Sequence, residues 1–144
     1  MTKDKRLFFK FNKVQKVMFK HVEAEAKTRL GITPVQMGVL FYLMKNDGCQ
    51  LKDISKELDQ NNSAITTLVE RMEKNGLLIK KVSETDGRAF QVYATDKGKD
   101  LGAKGLPLIA EFNKRVSEQI SEAEIDAVHN FLDKALKTFS KKKL

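Results

Sequence analysis

Apolar residues recur near the start of the chain at Leu7, Phe11, Val14, Met18, Val22, Ala26 and Leu30, at spacings of three and four. This period predicts a long amphipathic helix over 7–30 with a coiled-coil-like stripe, which Phe8 and Phe19 widen. Such a helix, about 36 Å long, needs a partner for its stripe, and Gly31 supplies its stop. Thr33 before Pro34 reads as an N-cap followed by a first-turn proline. The helix it opens runs to Lys45 and is expected to bury Met37, Leu40, Phe41 and Met44. Asn46-Asp47-Gly48 is a turn. Gln50 and Leu51 lead into a short helix over 52–58, anchored by Ile54 and Leu58. After the polar turn 59–62, a further helix over 63–74 has Ile65, Leu68, Val69 and Met72 on one face and stops at Asn75-Gly76.

From Leu77 the period changes to two. Residues 77–82 and 88–94 alternate as strands, and the Asp-Gly pair at 86–87 between them marks a hairpin. Thr95 caps the next helix, with Asp96 a favourable acid in its first turn. Gly105 and Pro107 should kink or break that helix. Ser121 and Glu124 form a capping box. It opens a last helix expected to bury Ile125, Val128, Leu132, Leu136 and Phe139, with a frayed end beyond. The predicted order is α-α-α-α-β-β-α-α: a mainly α chain with a small antiparallel hairpin. It divides into a helical stripe (1–31), a helix-turn-helix with a β-ribbon (32–98), and C-terminal helices (99–144). The small centre cannot cover the outer stripes, and packing against a second copy is the simplest solution, giving a symmetric homodimer.

Composition narrows the partners. The chain has 144 residues, a hydrophobic content of 41%, 32% charged residues and a formal net charge of +8. That balance favours polyanions. With one cysteine, Cys49, no disulfide forms within the chain, as in a reducing compartment. Charges interrupt every short apolar run at the N-terminus, so a signal-peptide core is not expected. No uncharged run approaches the roughly 20 residues of a membrane span. A soluble, cytoplasmic protein without membrane association is expected.

The second helix of a helix-turn-helix sets its first residues against base edges in the major groove. Here that start offers Asn61, Asn62, Ser63, Thr66 and Thr67, with Arg71 a turn further on. Asn pairs with adenine, a Thr methyl meets the thymine methyl, and Arg reaches guanine or phosphate. Capping by one of Asn61, Asn62 and Ser63 does not account for Thr66, Thr67 and Arg71 as a set. In the hairpin, Lys80, Lys81 and Arg88 offer charge to phosphates. An Arg at a narrow tip can enter a minor groove, with Asp86 placed to hold its guanidinium. His21 and His129 have no companion at metal-ligand spacing, so no metal and no cofactor are expected. No phosphate-binding glycine loop, paired nucleophile or carboxylate pair suggests an enzyme.

The segments GITPVQMGVL (31–40), AITTLVERMEKNGLL (64–78), DGRAFQVYATDKG (86–98) and SEAEIDAVHNFL near the C-terminus together resemble the MarR family. The matching positions are Thr66, Leu68, Val69, Glu70, Arg71, Met72, Gly76, Asp86, Arg88, Thr95 and Gly98. The resemblance implies a dimeric winged helix-turn-helix transcriptional regulator that binds double-stranded DNA, usually a repressor released by a small ligand. It makes Arg88 the wing arginine and Asp86 its orienting partner. Two departures are Thr67, where the family often has Arg, and Gly87, where a second Arg is frequent. Both imply a different operator preference.

In that family small phenolic or anionic compounds bind between the dimer helices and the winged domain, which makes Phe8, Phe11, His21, Phe41 and Tyr42 candidate pocket residues. The peroxide-sensing branch carries its cysteine in the first helix. This chain has none there, and Cys49 reads as a small packing residue. Two alternatives stay open: a winged-helix protein–protein module without DNA binding, and a thiol-based sensor acting through Cys49.

Overall fold

The computed structural model describes residues 6–85 and 87–140. Its elements run α1 (Leu7–Leu30), α2 (Pro34–Lys45), β1 (Cys49–Gln50), α3 (Leu51–Leu58), α4 (Asn62–Lys74), β2 (Leu78–Val82), β3 (Phe90–Ala94), α5 (Asp96–Ser117) and α6 (Glu122–Phe139). The chain forms two compact units, one running to Leu108 and one beginning at Ile109.

In the first unit the helix boundaries follow local chemistry. Gly31 ends α1 with φ of 71°, in the left-handed region that glycine adopts without strain. Thr33 opens α2 through a capping box: the Gln36 N–H donates to Thr33 Oγ1 at 3.1 Å, and the Thr33 N–H donates to Gln36 Oε1 at 3.0 Å. Asp59, at φ 53°, turns the chain between α3 and α4. The core gathers Met37, Val39, Leu40 and Leu43 of α2, Ile54 of α3, Ile65, Val69 and Met72 of α4, Leu78 of β2 and Val92 of β3. Of the α2 residues expected inside, Met37 and Leu40 are buried, but Phe41 is half-buried and Met44 exposed. Val39 and Leu43 take their place because α2 buries a broader face than a single stripe.

The sheet has three strands, not the expected two, in the order β1-β3-β2 and antiparallel throughout. The added strand is a two-residue piece, Cys49–Gln50, opposite Val92 and Gln91. Gly48, at φ 85°, turns the chain into it; a Cβ there would sit 2.9 Å from the Tyr93 ring. The Asp47 carboxylate accepts the Ala94 N–H at 2.9 Å, so the Asn46-Asp47-Gly48 turn is pinned to the far end of β3.

The expected break at Gly105 and Pro107 does not occur: α5 runs unbroken through both. The glycines serve close packing. A Cβ at Gly102 would lie 3.1 Å from Met44 Sδ, and one at Gly105 would lie 2.8 Å from Met37 Sδ. Helix α5 therefore lies on α2 with small residues at the contact. Thr95 sets its start. Its hydroxyl donates to the Gly76 carbonyl at 2.6 Å and accepts the Gly98 N–H at 3.1 Å, while the Thr95 N–H donates to the Leu77 carbonyl at 3.1 Å. The stop of α4, the entry to β2 and the start of α5 are joined at one point.

In the second unit, Ser121 and Glu124 form the expected capping box, with hydrogen bonds of 2.8 and 3.2 Å. The Ser121 N–H donating to the carboxylate at 2.8 Å, and then the Ser121 hydroxyl, hold the Glu124 carboxyl below its ordinary pKa. The expected burial along α6 is not met within one chain. Ile125 and Leu132 are half-buried, whereas Val128, Leu136 and Phe139 are exposed, Phe139 to 83%. The stripe of α1 behaves likewise: Ala26 is buried, but Leu7, Phe8, Phe11, Val14 and Phe19 are exposed.

Candidate nucleic-acid interface

Helices α3 and α4 form the helix-turn-helix, and β2 and β3 the wing. Asn61 caps α4: its Oδ1 accepts the Ala64 N–H at 2.8 Å and the Ser63 hydroxyl at 3.0 Å. One of the three polar residues at this start is thus engaged in capping, and α4 begins one residue earlier than the sequence suggests. Ser63, Thr67 and Arg71, spaced at i, i+4 and i+8, share one solvent-exposed stripe. Asn62 and Thr66 form a neighbouring row, tied by a 2.9 Å bond from the Thr66 hydroxyl to the Asn62 carbonyl. Ile65, Val69 and Met72 lie on the opposite face and are buried. Helix α4 is held by its apolar side and presents an exposed polar side.

The wing is fastened to this helix by Lys80. Its backbone N–H donates to Glu73 Oε2 at 3.1 Å. Its ammonium lies 3.8 Å from Glu70 Oε2 and 5.1 Å from the centre of the Phe90 ring. The Lys80 side chain is only 17% exposed. Lys80, expected to offer charge to phosphates, is instead turned inward to join α4 to the wing. Successive strand residues point to opposite faces, so Lys81 goes the other way. It is exposed, with its ammonium 5.1 Å from the Tyr93 ring centre. Arg88 is exposed on the wing turn. Asp86, its expected partner, lies outside the described residues.

The structure brings Arg88, Asn62 and Thr66 together. They line a groove of about 270 Å³ between the wing and the helix pair, with Gln50, Leu51, Lys52, Ala89 and Phe90. Sequence reasoning missed Gln50 and Lys52. They open α3, and the sign that could have found them is the tight 59–61 turn, which brings the start of α3 beside the start of α4.

Of the five candidate pocket residues, Phe41 and Tyr42 line one open groove of about 670 Å³ in the first unit, with Gly38, Met44, Lys45, Asn46, Glu57, Leu58 and Leu106. Phe8, Phe11 and His21 are exposed on α1 and do not line it. The Tyr42 hydroxyl is held above its ordinary pKa, first by desolvation and then by the acidic groups Cys49, Asp53 and Glu57. It stays protonated, a hydrogen-bond donor. Burial first, and then the Asp53 carboxylate, push the Cys49 thiol up to about 11. A thiol that stays protonated is a poor nucleophile, which argues against redox sensing there. Among the described residues no group of three or more His, Cys, Asp or Glu side chains is arranged to hold a metal ion. No helix among them is long and apolar enough to cross a membrane.

Comparison with known proteins agrees with the fold. A MarR family model matches residues 30–89, the stretch from the end of α1 to the wing. The HTH-type transcriptional regulator YfiV of Bacillus subtilis is 30% identical over 117 residues, which cover 78% of this chain and 72% of that protein. The HTH-type transcriptional regulator BilQ of Clostridioides difficile is 29% identical over 85 residues, 59% of this chain, and the match spans only 57% of BilQ's length. The fold is similar to that of S. aureus MepR, solved in a complex with DNA, with a TM-score of 0.85 at 23% identity, covering 90% of this chain and 95% of that one. The chain belongs to the MarR family of winged helix-turn-helix transcriptional regulators.

Proposed function

We propose that the protein is a cytoplasmic homodimer that binds a pseudopalindromic DNA site and represses transcription until a small aromatic or anionic effector releases it. The observation that carries DNA binding is the exposed stripe Ser63, Thr67 and Arg71 beside a wing bearing Arg88, on a chain with net charge +8. Each subunit sets α4 into a major groove, where the stripe meets base edges, and the wing into the flanking minor groove through Arg88. The exposed apolar residues of α1 and α6 supply the dimer contact, with 1–31 and 99–144 as dimerisation segments around the DNA-binding part 32–98. The groove at Phe41 and Tyr42 is the effector site, its apolar walls suited to an aromatic ring and Lys45 to a negative charge.

Affinity on this reading is largely electrostatic. Titration of a labelled duplex should show binding weakened by orders of magnitude between roughly 50 and 200 mM salt. Equal binding at both salt concentrations contradicts it. No binding to any duplex at low salt would leave the winged fold as a protein–protein module.

A further inference from the structure

The stripe Ser63, Thr67 and Arg71 faces outward along α4, but the groove of about 270 Å³ lies to its side, walled by α3, α4 and the wing. Its lining is polar and cationic. It holds two cations, Lys52 from α3 and Arg88 from the wing, the amides Gln50 and Asn62, the Thr66 hydroxyl and the Phe90 ring, with no carboxylate among the described lining residues. The nearest acid in sequence, Asp53, is engaged at the helix start, its Oδ2 accepting the Gln50 N–H at 3.0 Å. The other basic residue near this side of the wing, Lys80, is drawn inward by Glu70 and Phe90. Lys52 is exposed, and it comes from the first helix of the pair, the one that crosses the nucleic-acid backbone when the second enters a groove.

We infer that this groove seats a backbone phosphate of the bound duplex, and that Lys52, outside both the recognition helix and the wing, is a positioning cation for it. The inference rests on the DNA-binding reading above. A lysine ammonium is a point charge suited to phosphate oxygens, while the side-chain amides of Gln50 and Asn62 supply N–H donors to a site that fixes register without reading sequence. Recognition of the backbone at this point would set how deeply α4 enters the groove.

The test is a fluorescence-anisotropy titration of the full-length protein on a selected operator duplex and on a scrambled duplex of equal length. It is run across a salt series for wild type, Lys52→Met and Lys52→Arg, with melting temperatures alongside. Lys52→Met is expected to weaken binding to both duplexes by a similar factor. The slope of log affinity against log salt should become shallower by about 0.9, the counterion share of one phosphate. Lys52→Arg should keep the wild-type slope, and all three proteins should melt alike. With wild type binding normally, an unchanged slope in Lys52→Met overturns the phosphate site and leaves the DNA-binding reading standing. A loss confined to the operator also overturns it, because that marks base readout. Wild-type protein that binds neither duplex overturns the inference and the reading beneath it together.

Discussion

Arg88 and Cys49 show how differently a single residue fares once its neighbourhood is known. Arg88 is exposed on the wing and shares a groove wall with Asn62 and Thr66, so on the proposed reading its removal should cost contact with DNA. Arg88→Ala should weaken operator binding by about 1–3 kcal/mol in a gel-shift titration, with an unchanged circular dichroism spectrum; unchanged affinity would remove Arg88 from the interface. Cys49 sits in the short strand β1, and burial raises its pKa from 9.0 to about 11. Its folded pKa lies above the unfolded value, so the folded state favours the protonated thiol. That contribution to stability is complete below pH 9 and is lost as pH rises toward 11. Alkylation of the native protein should be slow at neutral pH and accelerate only in that upper range, and peroxide should leave DNA affinity intact. Rapid labelling at pH 7 would restore the thiol-sensor alternative. The sequence had placed Lys80 with Lys81 and Arg88 as equals; only the fold separates them, because Glu70, Glu73 and Phe90 converge on Lys80 from two different elements.

At the scale of elements, the positions that sequence patterning located well are those governed by local chemistry. The N-caps at Thr33 and Ser121, the stop at Gly31 and the turn at Asn46-Asp47-Gly48 depend on residues within a few places of one another, and all are met. What was not legible depends on distant partners. The two-residue β1 exists only because β3 lies beside it; no period is visible in so short a piece. Helix α5 runs on through Gly105 and Pro107, and Gly105, which reads as a breaker in isolation, serves as a close contact to α2 in context. The clearest case is Gly98, where an added Cβ would overlap the Leu77 carbonyl oxygen. Backbone on both sides leaves little room to yield. Gly98→Ala should therefore destabilise the fold at the upper end of about 1–3 kcal/mol or beyond, read from a urea denaturation midpoint. Stability equal to wild type would show that the junction of Thr95, Gly76 and Leu77 is looser than its hydrogen bonds indicate.

For the whole molecule, the candidate interface divides labour along simple physical lines. Apolar residues on one face of α4 fix the helix, the stripe Ser63, Thr67 and Arg71 is exposed, and Lys80 fastens the wing to the helix. The residues facing outward were legible because α4 is amphipathic. The groove shared by Lys52, Asn62 and Arg88 was not, since its walls are separated in sequence and meet only through the tertiary fold. Exposed apolar residues on α1 and α6 motivate the proposed second copy, and a two-fold dimer makes a geometric demand on its target: two half-sites related by symmetry, about one helical turn apart. Selection of bound sites from a random duplex pool tests that demand most directly. The account predicts enrichment of a pseudopalindrome with half-sites centred about 10 base pairs apart. A pool that remains unenriched at low salt, or that converges on an unsymmetric single half-site, would contradict it.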